Sequence, residues 1–341
     1  MKNIILFTLV LFCTIAQAQI VDIPDANFKN ALVNLDSVDI DGDGIGDVDA
    51  DTNNDGEIQV SEAESVLRLI VSSKSIASLE GIQSFTNLEK LNCLNNHLTS
   101  LDITQNSNLE ILWCGNNQLT NLNVSQNLIL KSLAFYSNPL TNIDLSNNLN
   151  LEIISGAYCN LTTFNVSTNI SLIHIEVHGN SLSNVDISQN PNITFFWCFD
   201  NQLDNLNIKN DNNISLVEFR LQNNPNLSCV QVDDIDYANL QNCDSENSWC
   251  YDDNIYFSED CSLGSEEFNT FNFNMYPNPV HNILNIDSRF PFDKVEIYNL
   301  QGFLIKESIS ENINVSGLSS GIYFVKVISN GKNQTKKFIK N

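Results

Sequence analysis

The residues best suited to chemistry are carboxylates, and they come at regular spacing. Ten of them lie between Asp36 and Glu62, most in the run DIDGDGIGDVDADTNNDGEIQVSE that starts at Asp39. Oxygen donors at alternate positions, a glycine to turn the chain and a closing glutamate make a cage for a hard cation such as Ca2+. Asp51, Asn53 and Asp55 alternate ahead of Gly56, and Glu62 follows. Asp39, Asp41, Asp43 and Gly44 begin the same spacing, but Ala50 stands where Glu62 closes the other run, which leaves a second ion an open question. The bland alternative is a solvated acidic loop. The ion's role would be structural, because ten uncompensated carboxylates repel one another.

The other candidates are few. His174, Glu176 and His178 alternate along one stretch. On a strand the two histidines stand about 13 Å apart, too far to share a metal. No Ser or Cys sits in a nucleophile elbow, and no Gly-rich phosphate loop is present. The chain is expected not to be an enzyme. The run Asp51–Glu62 resembles the twelve-residue calcium loop of the EF-hand, without the entering helix and with Ser61–Glu64 opening the exiting one. That resemblance implies that Asp51, Asn53, Asp55, the Glu57 carbonyl, Gln59 through a water, and Glu62 are the ligands, with Gly56 at the turn and Ile58 as the apolar anchor. It implies a half EF-hand of extracellular type, with a dissociation constant of about 10⁻⁴–10⁻³ M.

The elements that position these residues are repeats. LEKLNCLNNHLTSLDITQNSN from Leu88 is followed by LEILWCGNNQLTNLNVSQNLI from Leu109, and the frame restarts at Leu130, Leu151, Leu172 and Ile193. A two-residue insertion near Asp211 delays the next restart to Leu216, and a degenerate copy begins at Val66. A period of 21 with LxxLxLxxN is the signature of a leucine-rich-repeat solenoid, and its alternating LxL core predicts one short strand per copy. Asn96, Asn117, Asn138, Asn180, Asn201 and Asn224 follow each strand at a fixed distance, with Cys159 at that place in one copy. Their amides are suited to backbone groups that a turn leaves unpaired. Each copy is nearly doubled internally, with a second series at Asn106, Asn127, Asn148, Asn169 and Asn190. The chain resembles the bacterial repeat class with nested ten-plus-eleven units, which implies strands on both faces. Ile23–Leu35 has helical spacing and is expected to cap the open end.

If LxL alternates in and out, the outward residues are readable. Those of the second half-repeats are small and polar: Ser100, Asp102, Asn121, Asn123, Asp144, Asp186. The first half-repeats instead turn out Trp113, Tyr136, His174, Glu176, His178, Phe195, Trp197 and Phe199. Aromatics turned to water have no role in the core, and such a patch usually marks an interaction site. These eight residues are the expected ligand surface. The competing account is strand propensity, or cover by a loop or a second copy.

The ends of the chain speak of export. Residues 1–18 (MKNIILFTLVLFCTIAQA) have the Lys, short apolar run and Ala-Gln-Ala end of a signal peptide, too short to span a membrane. No other segment is apolar enough to insert. Residues 19–270 carry 7 Lys plus Arg against 36 Asp plus Glu, or −29; residues from 271 carry 8 against 5, or +3. A body this acidic repels nucleic acid and attracts cations. Cys93, Cys114 and Cys198 occupy inward positions, whereas Cys229, Cys243, Cys250 and Cys261 follow the last repeat. In an oxidising compartment four cysteines allow three pairings, and Cys229–Cys261 with a local Cys243–Cys250 loop is the expected one.

From Met275 the style changes to alternating strands separated by turns: MYPNPVHNILNID, KVEIYNLQGFLI, GIYFVKVISNG. Tyr276-Pro277-Asn278-Pro279, the Gly302 turn, Gly321-Ile322-Tyr323 and the basic end resemble the C-terminal sorting domain of the type IX secretion system of Bacteroidetes. The resemblance implies an Ig-like antiparallel sandwich, handling by that machinery through residues 275–341, and a secreted or surface location reached through the periplasm. The expected architecture is therefore mainly β. It comprises a signal peptide (1–18), a small helical calcium-binding cap (19–65), the repeat solenoid (66–227), a disulfide-stapled cap (228–262), a linker (263–274) and the sorting domain (275–341). The expected function is binding or adhesion to a protein or glycan, the alternative being a calcium-stiffened structural rod without a specific ligand.

Overall fold

The computed structural model describes residues 19–243, 248–261, 273–288, 291–329 and 332–341. The signal peptide and linker residues 263–272 lie outside these. The chain divides into two compact units, one ending at Cys261 and one beginning at Ser262.

In the first unit each repeat lays down one strand, and the strands stack in parallel. They are Arg68–Ile70, Lys90–Asn92, Ile111–Trp113, Ser132–Ala134, Ile153–Ser155, His174–Glu176, Phe195–Trp197, Glu218–Arg220 and Trp249–Cys250. Their middle residues align from rung to rung: Leu91, Leu112, Leu133, Ile154, Ile175, Phe196, Phe219, Trp249. All are buried in one continuous core that runs from Val21 to Phe257. Burying a side chain of this size stabilises by about 1.5–3 kcal/mol, and a one-residue slip would turn the whole column outward. The fixed period is thus what holds the register.

A second parallel sheet forms on the other face from Asn184–Asp186, Asn205–Asn207, Cys229–Gln231 and Tyr256–Ser258. Strands do occupy both faces, but on the second they begin only at Asn184. Nearer the N-terminus, side chains bridge the second half-repeats. Asn127 Nδ2, for example, donates to the carbonyls of Ile103 (3.2 Å) and Asn106 (2.8 Å). The outward Asp and Asn residues there make local turns, as when Asp102 Oδ1 accepts from Thr104 N.

The corner after each first-half strand is left-handed. Asn95, Asn116, Ser137, Tyr158, Asp200 and Asn223 all have φ between 52° and 58°, and Gly179 has 65°. The ladder asparagine then closes the corner. Asn117 Nδ2 donates to the carbonyls of Cys93 and Cys114 (both 3.0 Å), while its Oδ1 accepts from Leu98 N (3.0 Å).

The N-terminal cap contains helix Ala26–Asn34, which buries Phe28, Ala31 and Leu32. Asp25 caps it through Asn27 N and Phe28 N, and its second oxygen accepts from Ala77 N and Ser78 N. One carboxylate therefore ties the cap to the first repeat. Burial opposes its charge, but these four N–H donors hold its pKa below the usual carboxylate range.

At the other end, the stretch from 228 is not a separate lid. Cys229–Gln231, Trp249–Cys250 and Tyr256–Ser258 extend both sheets beyond the recognisable motif. Trp249 lies edge-on to Phe219 at 5.2 Å and fills the end of the core. The disulfides are Cys229–Cys261 and Cys243–Cys250, with Cα separations of 5.9 and 4.6 Å. Cys93, Cys114, Cys159 and Cys198 are buried and free.

The second unit is an antiparallel sandwich. One sheet orders Phe273–Tyr276, Ile283–Ser288 and Asn312–Asn314; the other orders Leu304–Ser308, Lys294–Asn299, Gly321–Ser329 and Lys332–Lys340. They enclose Phe273, Leu284, Ile297, Val325 and Phe338. Phe273 and Asn274, which composition assigns to the linker, start the first strand because Phe273 alternates into this core. Among the described residues no helix is long and apolar enough to cross a membrane.

Candidate functional site

Two regions bring polar and aromatic groups together. The first is the acidic cap, where the two loops share one hydrogen-bond skeleton. Gly44 N donates to Asp39 Oδ2 and Gly56 N to Asp51 Oδ2; Ile45 N donates to Asp43 and Glu57 N to Asp55. Asp43 N and Asp55 N likewise donate to Asp41 and Asn53.

They differ in how charge is compensated. Asp39 is buried between Arg68 (3.6 Å) and Lys90 (3.7 Å). Burial raises its pKa, but the N–H groups of Gly42 and Gly44 with those two cations bring it below the ordinary range. Carboxylate oxygens of Asp39, Asp41 and Asp43 lie within 4.8 Å of one another, yet Asp39 already has two protein cations. In the loop from Asp51 to Glu62, among the described residues, no lysine or arginine pairs with Asp51, Asp55 or Glu62. Glu62, buried, accepts from Thr52 Oγ1 (2.8 Å), Asn53 N and Gln59 N, and so ties the end of the loop to its start. Gln59 and Asn53 hydrogen-bond at 2.5 Å, and Glu57 pairs outward with Lys29 at 2.6 Å. The donors are all oxygens, a set that fits Ca2+ rather than a softer metal.

The second region is the outer face of the nine-stranded sheet. Phe196 and Cys198 point inward, fully buried, whereas Phe195, Trp197 and Phe199 point outward and are half-buried. The alternation read from the sequence therefore holds. What the sequence cannot show is that these rings pack on one another across rungs. His174 stacks on Phe195 (5.3 Å between centroids) and His178 on Phe199 (4.2 Å). Trp197 lies between the histidines, 6.2 and 5.9 Å from them, with the Arg220 guanidinium over its ring at 4.9 Å. Trp113 and Tyr136 stand apart toward the N-terminus; Lys90 Nζ lies over the Trp113 ring, and its indole N–H donates to Ser132 Oγ.

Glu176 joins this cluster through His174 Nε2 (2.8 Å) and Ser155 Oγ (2.8 Å). The bond to His174 lowers its pKa against the opposing effect of burial. Serine, glutamate and histidine meet here in the wrong order for nucleophilic catalysis: the carboxylate, not the imidazole, touches the hydroxyl.

Tyr158 belongs to the same face, and sequence reasoning missed it. It stands edge-on to His178 at 5.0 Å and is exposed. Its φ of 52° puts a bulky side chain in the left-handed region, where its counterparts are Asn, Ser, Asp or Gly. Such a residue costs about 1–3 kcal/mol and tends to mark function. Nearby, among the described residues, the buried His178 Nδ1 and Trp197 Nε1 have no protein hydrogen-bond partner. Stability alone does not account for this wall of rings.

Comparison with known proteins follows the same division. An internalin C2 of Listeria monocytogenes aligns over 64% of this chain and 98% of its own, at 18% identity and a TM-score of 0.50. An internalin InlF of the same species aligns over 61% and 69%, at 18% identity and 0.45. At such identity the likeness concerns the fold. No curated protein matches the chain. Residues 274–341 match the family model of the secretion system C-terminal sorting domain. The chain thus carries a leucine-rich-repeat-like solenoid and a type IX sorting domain, and is destined for the cell surface or extracellular space.

Proposed function

We propose that this is a non-enzymatic exported binding or adhesion protein, whose protein or glycan ligand sits on the outer face of the nine-stranded sheet. The observation that carries the reading is the ring cluster of His174, His178, Phe195, Trp197 and Phe199 at outward positions, with Tyr158 beside it in a costly backbone conformation. Aromatic groups concentrate binding energy at interfaces, and a stack held together by its own neighbours is preorganised for contact. Glycan and peptide arrays probed with the chain from residue 19 test it. A ligand that binds the native protein and is lost with Trp197→Ala, at a melting temperature changed by only a few degrees, supports the reading. A ligand that binds both equally refutes it.

A second role rests on the cap. We infer that Asp51, Asn53, Asp55, the Glu57 carbonyl, Gln59 and Glu62 hold a structural Ca2+. What favours this is the buried Glu62, bonded to Thr52 and Asn53 next to Asp51, in a loop without the cations that neutralise Asp39. The ion would offset the loop's charge and stiffen the end on which the repeats stack. A melt insensitive to chelator excludes it.

A further inference from the structure

The aromatic face is interrupted. Between the rung of Trp113 and the rung of His174 lie two rungs without an outward ring on their strands: Ser132 and Ala134 on one, the exposed Ile153 and Ser155 on the other. The two tyrosines that belong to these rungs lean away from each other. Tyr136 lies over Gly115 on the N-terminal side, where a Cβ would stand 2.7 Å from its ring. Tyr158 lies over Gly179 on the C-terminal side, where a Cβ would stand 2.4 Å from its ring. Each glycine makes room for a ring, and each ring thereby leaves the saddle open. Ser132 and Ser155 anchor the walls, the first accepting from the Trp113 indole and the second donating to Glu176. The walls stand three strand spacings apart, about 14 Å, which is room for one extended chain along the strand direction.

Charge selects the occupant. The cations on this face are already matched: Arg68 and Lys90 by Asp39 together with Glu89, Lys131 by Glu110 (2.7 Å), Arg220 by Glu218 (2.6 Å). Among the described residues no lysine or arginine forms an ion pair with Glu152, Glu176 or Asp200, the acids at and beyond the C-terminal side of the saddle. The surplus is negative, as in the rest of the body.

Resting on the reading that this face is the ligand surface, we propose that the saddle binds an extended polypeptide segment bearing lysine or arginine. Its backbone runs along the strands over Ala134 and Ser155, and a cationic side chain meets Glu176 beside the rings.

The test uses the chain from residue 19 and three fluorescent probes: a decapeptide of alternating lysine and valine, its glutamate–valine counterpart, and cellohexaose. The lysine peptide binds the native protein and the glutamate peptide does not. Ala134→Trp, which fills the saddle from an outward position, weakens that binding at least about tenfold, and Glu176→Gln weakens it severalfold. Ala134→Lys, which needs less space, gives the same loss if the tryptophan variant fails to fold. Lysine-peptide binding that survives both substitutions is diffuse attraction to an acidic body and overturns the proposal. Cellohexaose binding that Ala134→Trp abolishes, without lysine-peptide binding, overturns the occupant. Trp197→Ala separates the two readings: if it abolishes binding while Ala134→Trp does not, the face stands and the saddle falls, and if neither matters both fall.

Discussion

Cys159 is the one break in the first asparagine ladder, and its repair is a measurable quantity. On the rung before it, Asn138 Nδ2 donates to the carbonyls of Cys114 (3.0 Å) and Phe135 (2.9 Å), and its Oδ1 accepts from Leu119 N (2.9 Å). Cys159 offers a weak thiol donor instead, 3.5 Å from the Phe135 carbonyl and 3.6 Å from that of Ala157. With no amide oxygen to accept it, Leu140 N turns to Asn138 O at 2.8 Å. Cys159→Asn supplies two strong donors and one acceptor to a corner whose backbone already matches its neighbours. At about 1 kcal/mol net per hydrogen bond, less the entropy of fixing a longer side chain, the gain is about 1–2 kcal/mol. In a unit of this size that raises the melting temperature by about 2–8 °C. Circular dichroism melts in one buffer read the shift directly, and Asn117→Cys should produce the opposite one. A Cys159→Asn protein that melts no higher than the native one, while folded, refutes the reading of the ladder.

Further outcomes are expected. Calcium at about a hundred times its dissociation constant adds about 2.7 kcal/mol, or about 5–10 °C in the melt, and Glu62→Gln removes most of that increment. Burial lowers the pKa of His178 despite Glu176 and Asp200 nearby. The unfolded chain therefore binds that proton first, so stability is full above about pH 6.5 and falls below it, and His178→Phe flattens this part of a melt-versus-pH curve. Burial pushes the Cys93 thiol up to about 12 and that of Cys198 further; iodoacetamide at pH 8 should leave them unlabelled until denaturant is added. Tyr158→Asn relieves the left-handed strain by about 1 kcal/mol and at the same time weakens ligand binding, a trade that a purely structural tyrosine would not show.

The solenoid was legible because a period of 21 makes every rung predict the next, and the in–out alternation of Phe195, Phe196 and Trp197 follows from that alone. The limits of legibility are equally local. The extra turn at 229–258 was hidden because disulfides and Trp249 hold it where leucines hold the others. The Asp39 bridge to Arg68 and Lys90 joins residues 29 and 51 positions apart, a spacing that no motif encodes. Tyr158 was passed over because a left-handed corner is visible in sequence only when Asn, Asp or Gly occupies it.

In a repeat, the informative residues are therefore those that depart from their column. Phe135 stands where Cys93, Cys114 and Cys198 stand on other rungs. Gly156 faces it on the next rung, where a Cβ would come within 2.3 Å of its ring, so one side chain's added volume is matched by its neighbour's loss. Gly179 answers Tyr158 in the same way on the outer surface. The backbone favours glycine here, with φ of 65°, but the corners on either side hold non-glycine residues at similar φ, so that preference alone does not fix it. The ring adds a second demand. Gly179→Ala should thus cost about 1–3 kcal/mol more with Tyr158 present than with Tyr158→Asn, where only the backbone strain remains. The coupling in that double-mutant cycle measures how firmly the tyrosine is seated; a coupling near zero means that the ring moves freely and that the saddle's C-terminal wall is not fixed.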